Sequence, residues 1–119
     1  MKYMLLIYVD EETFAATPPD QVQEIIAETD ALNASLWASG EMVGAYGVAD
    51  QVLAKQVASV DGVPAVTDGP YIETKEYLGS FTIVEVDGLE RALEIAAANP
   101  ASRFTKVEVR PITHEAPRP

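Results

Sequence analysis

Tyr3-Met4-Leu5-Leu6-Ile7-Tyr8-Val9 is apolar on both of its alternating sides, with Tyr3, Leu5, Ile7 and Val9 on one and Met4, Leu6 and Tyr8 on the other. A strand bordered by water on one side alternates apolar with polar residues, whereas one covered on both sides does not. Both faces of this first strand therefore need cover. The run stops at Asp10-Glu11-Glu12, too short to span a bilayer and without the small-residue cleavage site of a signal peptide. A cytoplasmic location is expected.

Working outward, Thr17 is placed to cap a helix with Pro18 at its first position and Asp20 close to the positive end of the helix dipole. Val22, Ile25, Ile26, Thr29, Leu32, Leu36 and Trp37 recur at three- and four-residue steps and predict one apolar face, with Trp37 in the core and Gly40 ending the helix. Residues 41–48 suit a short strand, and Val52 to Val60 a weaker one. Asp61-Gly62, between Val60 and Val63, supplies the two positive φ values of a type I′ hairpin. Residues 79–86 form another strand. Asp87-Gly88-Leu89-Glu90 opens a second helix with Leu89, Ala92, Leu93 and Ala96 as its apolar stripe, and Asn99-Pro100 stops it. The last strand, Phe104 to Ile112, alternates Lys106, Glu108 and Arg110 with Val107 and Val109.

The order is β-α-β, an inserted hairpin, then β-α-β. This predicts an α+β fold of the ferredoxin-like, split βαβ type, with two helices on one face of an antiparallel sheet. Residues 1–112 form a single domain, and 113–119 form a flexible proline-rich tail. The second sheet face is left bare, and large exposed apolar patches mark interfaces or ligand grooves. A homodimer with two sheets facing across a cavity is the expected remedy. The alternative is that the hairpin or the tail folds over the sheet within one chain.

Composition narrows the function. Among 119 residues there are 19 acidic and 8 basic side chains, a net charge of −11, while 48% of residues are apolar. A chain of this length buries roughly two-thirds of its unfolded surface and needs no staple. Eight scattered cations in such a negative field do not bind a phosphate backbone, so nucleic acid is not an expected partner. With no cysteine, thiolate catalysis, disulfides and Cys-based metal sites are excluded. Asp10-Glu11-Glu12 lacks the spaced oxygens of a Ca²⁺ loop and is expected to be a solvated acidic turn, so no metal site is predicted. Neither G-x-S-x-G, a P-loop nor G-x-G-x-x-G occurs, and no cofactor is expected.

The segment Asp68-Gly69-Pro70-Tyr71-Ile72-Glu73-Thr74-Lys75-Glu76-Tyr77-Leu78-Gly79 is the hardest to explain by packing. Gly69 frees the backbone and Pro70 stiffens it, so the turn can hold a carboxylate in place. Asp68 is the candidate acid/base, with Tyr71, Glu73 and Lys75 as ligand contacts. A purely structural reading has Asp68 closing an Asx-turn while the other charged groups are solvated. Tyr8 on the first strand joins the candidate ligand-binding set. Lys106, Glu108, Arg110 and Glu85 either line a covered cavity, where Arg110 clamps a ligand carboxylate, or form an ordinary charged sheet face.

Thr67-Asp68-Gly69-Pro70-Tyr71-Ile72-Glu73-Thr74-Lys75-Glu76, then Leu78-Gly79-Ser80-Phe81, Val107-Glu108-Val109-Arg110-Pro111-Ile112 and Lys2-Tyr3-Met4-Leu5-Leu6-Ile7 at the start, resemble the DGPF branch of the YCII-related domain family. The resemblance covers nearly the whole chain, with Tyr71 where the motif has Phe. It implies a dimeric α+β barrel of ferredoxin-like protomers in the bacterial cytoplasm, with some members linked to extracytoplasmic-function sigma factors. In YCII-like relatives it also implies a His–Asp pair poised for proton transfer. The only histidine here, His114, stands in the tail, so that chemistry is not expected. The function read from these features is a small-molecule-binding accessory or regulatory module. The competing readings are a cofactor-free lyase, isomerase or oxygenase using Asp68, and a protein that docks a partner through the edge strand near Val52 to Val60.

Overall fold

A computed structural model describes residues 1–70 and 74–119. The first strand, β1 (Lys2–Asp10), is followed by two helices, α1 (Glu11–Ala16) and α2 (Pro19–Ser39), and by strand β2 (Met42–Gly47). A single 3-10 turn at Gln51–Leu53 leads into the hairpin β3 (Lys55–Val60) and β4 (Val63–Asp68). The chain returns through β5 (Glu76–Glu85), α3 (Leu89–Ala98), the short α4 (Ala101–Phe104) and β6 (Val107–Pro111). The main sheet has the order β2-β5-β1-β6, and all its pairs are antiparallel. This is the ferredoxin-like α+β arrangement, with β3 and β4 forming a separate two-stranded sheet inserted between β2 and β5.

Both long helices cover the same face. Tyr3 and Leu5 from β1, Met42 from β2, Val84 from β5 and the half-buried Val107 and Val109 from β6 pack with Leu36 and Leu32 of α2 and with Ala92, Ile95 and Ala96 of α3. Register places Leu5 between Thr82 and Val109, and Tyr3 beside Val84, so these residues share one side. By alternation the other side carries Met4, Leu6 and Tyr8 beside Ile83, Phe81 and Leu78. Tyr46 of β2 extends this row, its ring 5.2 Å from that of Phe81. Gly44 makes room for that ring, because a Cβ there would come within 2.5 Å of the Tyr46 hydroxyl.

The Asp61-Gly62 turn forms as expected, with φ of 50° and 80°, and pairs Val60 with Val63 and Val57 with Val66. The hairpin does not shelter the sheet within its own chain: Val57, Val60, Val63 and Val66 stay 58–69% exposed.

Several expectations are corrected. Asp10-Glu11-Glu12 is no open turn but the start of α1, where the Asp10 carboxylate accepts a hydrogen bond from the Thr13 amide at 2.9 Å. Thr17 ends α1 rather than capping the long helix. Its hydroxyl donates to the Thr13 carbonyl, and Pro18 becomes the cap of α2. Trp37 is 58% exposed, because the covered stripe of α2 runs through Leu32 and Leu36 and Trp37 lies just past it. On α3 the covered face is Ala92, Ile95 and Ala96, leaving Leu89 and Leu93 about half exposed. Small alanines bring that helix close to the sheet, and the larger leucines stay outside. The 3-10 turn shortens the strand expected over 52–60, β5 begins earlier than expected at Glu76, and the last strand begins later, at Val107, with Phe104 closing α4. Asp50 accounts for the first of these changes, since its carboxylate accepts from the Val52 amide and starts the turn.

Candidate functional site

Leu78 and Tyr8 face each other at the end of the bare sheet surface, where the pairing of β1 with β5 shifts register between Ile7 and Tyr8. The shift skips Gly79, a bulge that re-aims the strand ends. A cavity of about 470 Å³ opens there, lined by Tyr8, Tyr77, Leu78, Glu76, Asp50 and the hairpin root residues Ala54 and Pro70. Its floor is sheet, and its wall is the connection between β2 and the hairpin. Gln51 fastens that wall by donating from its side-chain amide to the Thr74 carbonyl at 2.9 Å.

The polar groups are held rather than free. The Tyr77 hydroxyl lies 3.4 Å from an Asp50 carboxylate oxygen. Burial, with the nearby Asp50 charge, raises the phenol pKa above its ordinary value, so Tyr77 remains a hydrogen-bond donor at neutral pH. Lys106 bonds Glu76 at 2.5 Å, an attachment that raises its pKa, and places its ammonium 5.6 Å from the centre of the Tyr8 ring. An ammonium over an aromatic face is attracted by the ring quadrupole. The cavity thus offers aromatic and aliphatic surface, one carboxylate beside a protonated phenol, and one paired ammonium at the rim. Such a site suits a small organic molecule with apolar body and a few hydrogen-bonding groups.

Of the residues expected from sequence, Tyr8 lines this cavity. Asp68 does not: it stands at the end of β4, 85% exposed by its side chain, and pairs with Lys55 across the hairpin. Pro70 of the same segment lines the wall, following Gly69 with φ of 86°. Lys75 pairs with Glu12 at 3.1 Å on the outside. Arg110 lies opposite Met4 on the bare face, at the β6 edge. Tyr71 and Glu73 lie outside the described residues. His114 is exposed in the tail. Asp50 and Tyr77 were not singled out from sequence. The available signals were an Asp placed to cap a turn and an isolated glycine, Gly79, inside a strand pattern. Among the described residues no cluster of three or more His, Asp or Glu is placed to hold a metal ion.

A second groove of about 320 Å³ lies on the helix side, between β1, α1, α2 and α4, with Ile7, Val9, Phe14, Ile25 and Phe104 in its wall. The hydroxyls of Thr17, Thr29 and Thr105 there each donate to a main-chain carbonyl. Those donors are consequently spent on the fold.

The YCII-related domain model matches residues 1–115. This chain belongs to the YCII-related domain family. An uncharacterised protein of Rhizobium meliloti (strain 1021) is 28% identical to this YCII-related chain over 116 residues, covering 94% of this chain and 92% of that one. Among solved structures it is similar to 5-chloro-2-hydroxyhydroquinone dehydrochlorinase from Burkholderia phenoliruptrix AC1100, in complex with 2,5-dihydroxybenzoquinone, with a TM-score of 0.48 and 14% identity over 97% of this chain and 96% of the other. Among the described residues of the YCII-related chain, no helix is long and apolar enough to cross a membrane.

Proposed function

We propose that this YCII-related protein is a homodimer whose bare sheet faces meet and enclose a chamber for a small organic ligand, and that it acts as an accessory or regulatory module. The observation that carries the reading is the row Tyr46, Phe81 and Leu6, flanked by Ile83, Met4, Leu78 and Tyr8, which no helix covers among the described residues. A contiguous apolar surface of that kind is costly to leave in water and marks an interface or a ligand groove. Bringing two copies together covers most of it and deepens the cavity beside Tyr8 and Tyr77.

The alternative, a cofactor-free lyase, isomerase or oxygenase with Asp68 as acid/base, draws no support from the geometry, because Asp68 is exposed and ion-paired away from the cavity. A proton-transfer role at this site would fall to Asp50 and Tyr77 instead.

Thermal-shift screening with small aromatics, organic acids and amides tests the binding reading. A ligand that binds only the folded state at about 100 times its Kd adds roughly 2.7 kcal/mol of apparent stability. At least one class is expected to raise the unfolding midpoint of the wild type, and Tyr8→Ala is expected to abolish that rise. Indifference to all classes overturns the ligand reading. A monomer by sedimentation at micromolar concentration overturns the dimer.

A further inference from the structure

We propose that the β3–β4 hairpin is a docking arm that packs against the second copy of this chain in the dimer. The inference rests on the dimeric reading above and adds to it a second contact region, outside the sheet face.

The arm is built to be covered. Asp61 and Gly62 lock its turn, and its pairing is regular from Lys55–Asp68 to Val60–Val63. Alternation puts Val57 and Val66 on one side and Ala58, Val60, Val63 and Ala65 on the other. Each side is at least half apolar, with Lys55, Ser59 and Asp68 beside Val57 and Val66, and Gln56 and Thr67 on the other side, and the four valines are 58–69% exposed. A lone two-stranded ribbon is marginally stable in water, and its outer edges are unpaired. The chain as a whole is extended, with a radius of gyration of 16.6 Å against about 13.5 Å for a compact chain of this length.

Position and charge name the occupant. The arm springs from Ala54 and Pro70, which share the cavity wall with Tyr8 and Leu78 at the rim of the bare face. When two such faces meet, an arm rooted at that rim has the opposing protomer within reach, and two-fold symmetry uses each arm in the same way. Two chains of net charge −11 repel unless the surfaces that touch are nearly neutral. The arm satisfies that condition: its charged residues are Lys55, Asp61 and Asp68, and Lys55 and Asp68 neutralise each other. The β6 edge of the bare face is nearly balanced as well, with Lys106 paired to Glu76, and Arg110 beside Glu108.

Two measurements test this. In sedimentation equilibrium the double variant Val57→Asp/Val66→Asp is expected to weaken dimerisation by at least about tenfold while far-ultraviolet circular dichroism shows the protomer fold retained. Hydrogen exchange on the wild type needs no variant: amides of residues 55–68 are expected to exchange more slowly above the dimer dissociation constant than below it. A wild-type dimer whose arm amides exchange fast at every concentration, with dimerisation unchanged in the double variant, overturns the arm and leaves the sheet-face dimer standing; it would also show that any cover for the arm is a different protein. A monomeric wild type overturns both readings.

Discussion

Leu5 and Leu6 are the same residue one peptide bond apart, yet the fold treats them in opposite ways. Leu5 is 2% exposed among Leu36, Val84 and the α3 alanines. Leu6 lies half-buried on the other side, across from Phe81 on one neighbour and Glu108 on the other. The helix-covered face is finished within one chain, and the bare face is not. Apolar residues on the first face therefore report on folding, and those on the second report on association if the proposed dimer forms.

The sharpest test of that contrast is the pair of neighbouring substitutions. Leu5→Ala is expected to cost about 2–5 kcal/mol, as for other large-to-small changes in a packed core, read as a lower urea midpoint. Leu6→Asp is expected to leave the protomer folded by circular dichroism and to shift sedimentation to monomer. Equal damage to folding from both would break the distinction between the faces.

A smaller effect is expected in the hairpin. Gly62→Ala places a Cβ at φ of 80°, where a non-glycine residue costs about 1–2 kcal/mol. Hydrogen exchange is expected to loosen residues 55–68 and leave the main sheet unaltered, because the hairpin is a sheet of its own.

Acid titration probes how the helix-covered face is tied together. Glu41, at the entry to β2, receives two hydrogen bonds from Arg91 of α3, at 2.7 and 2.9 Å, and a third from Ser39. These hold its pKa at about 2, below the ordinary 4.5. A carboxyl depressed in the folded state contributes stability in full above its unfolded pKa and loses it as pH falls through the folded value. The thermal midpoint of the wild type is thus expected to fall between about pH 4.5 and pH 2 more steeply than that of Arg91→Met. Matching profiles would remove this ion pair from the account of the covered face.

The least effect is expected from Asp68→Asn. Its carboxylate is exposed and, among the described residues, pairs with Lys55, and exposed ion pairs contribute little. Ligand-induced thermal shifts are expected to match the wild type, whereas Asp50→Asn is expected to reduce them. A loss with Asp68→Asn and none with Asp50→Asn would move the site to the motif.

Much of this architecture was legible in local pattern. The doubly apolar β1, the Asp61-Gly62 turn and the left-handed Gly40 that ends α2 are recorded within a few residues of where they act. So is the split βαβ order. Less legible was the site. Tyr8 could be named because it belongs to the strand that decides the fold, but Asp50 and Tyr77 stand 27 residues apart with the inserted hairpin between them. Asp68 is the most conspicuous residue of its segment, while the cavity is lined by nearby Pro70 and the bulged strand end.

The amino-acid order alone determined which segments extend, coil and turn, because backbone preferences, caps and glycine conformations act between residues close along the chain. Only the tertiary structure decided which sides of those segments are covered. Trp37 and Leu93 obey helical spacing and still face solvent, since cover depends on how near another element can approach, and at α3 that closeness is set by alanines. The same reason explains why Leu5 is sealed and Leu6 is not: alternation makes both faces of β1 apolar, but the helices supply atoms to only one of them.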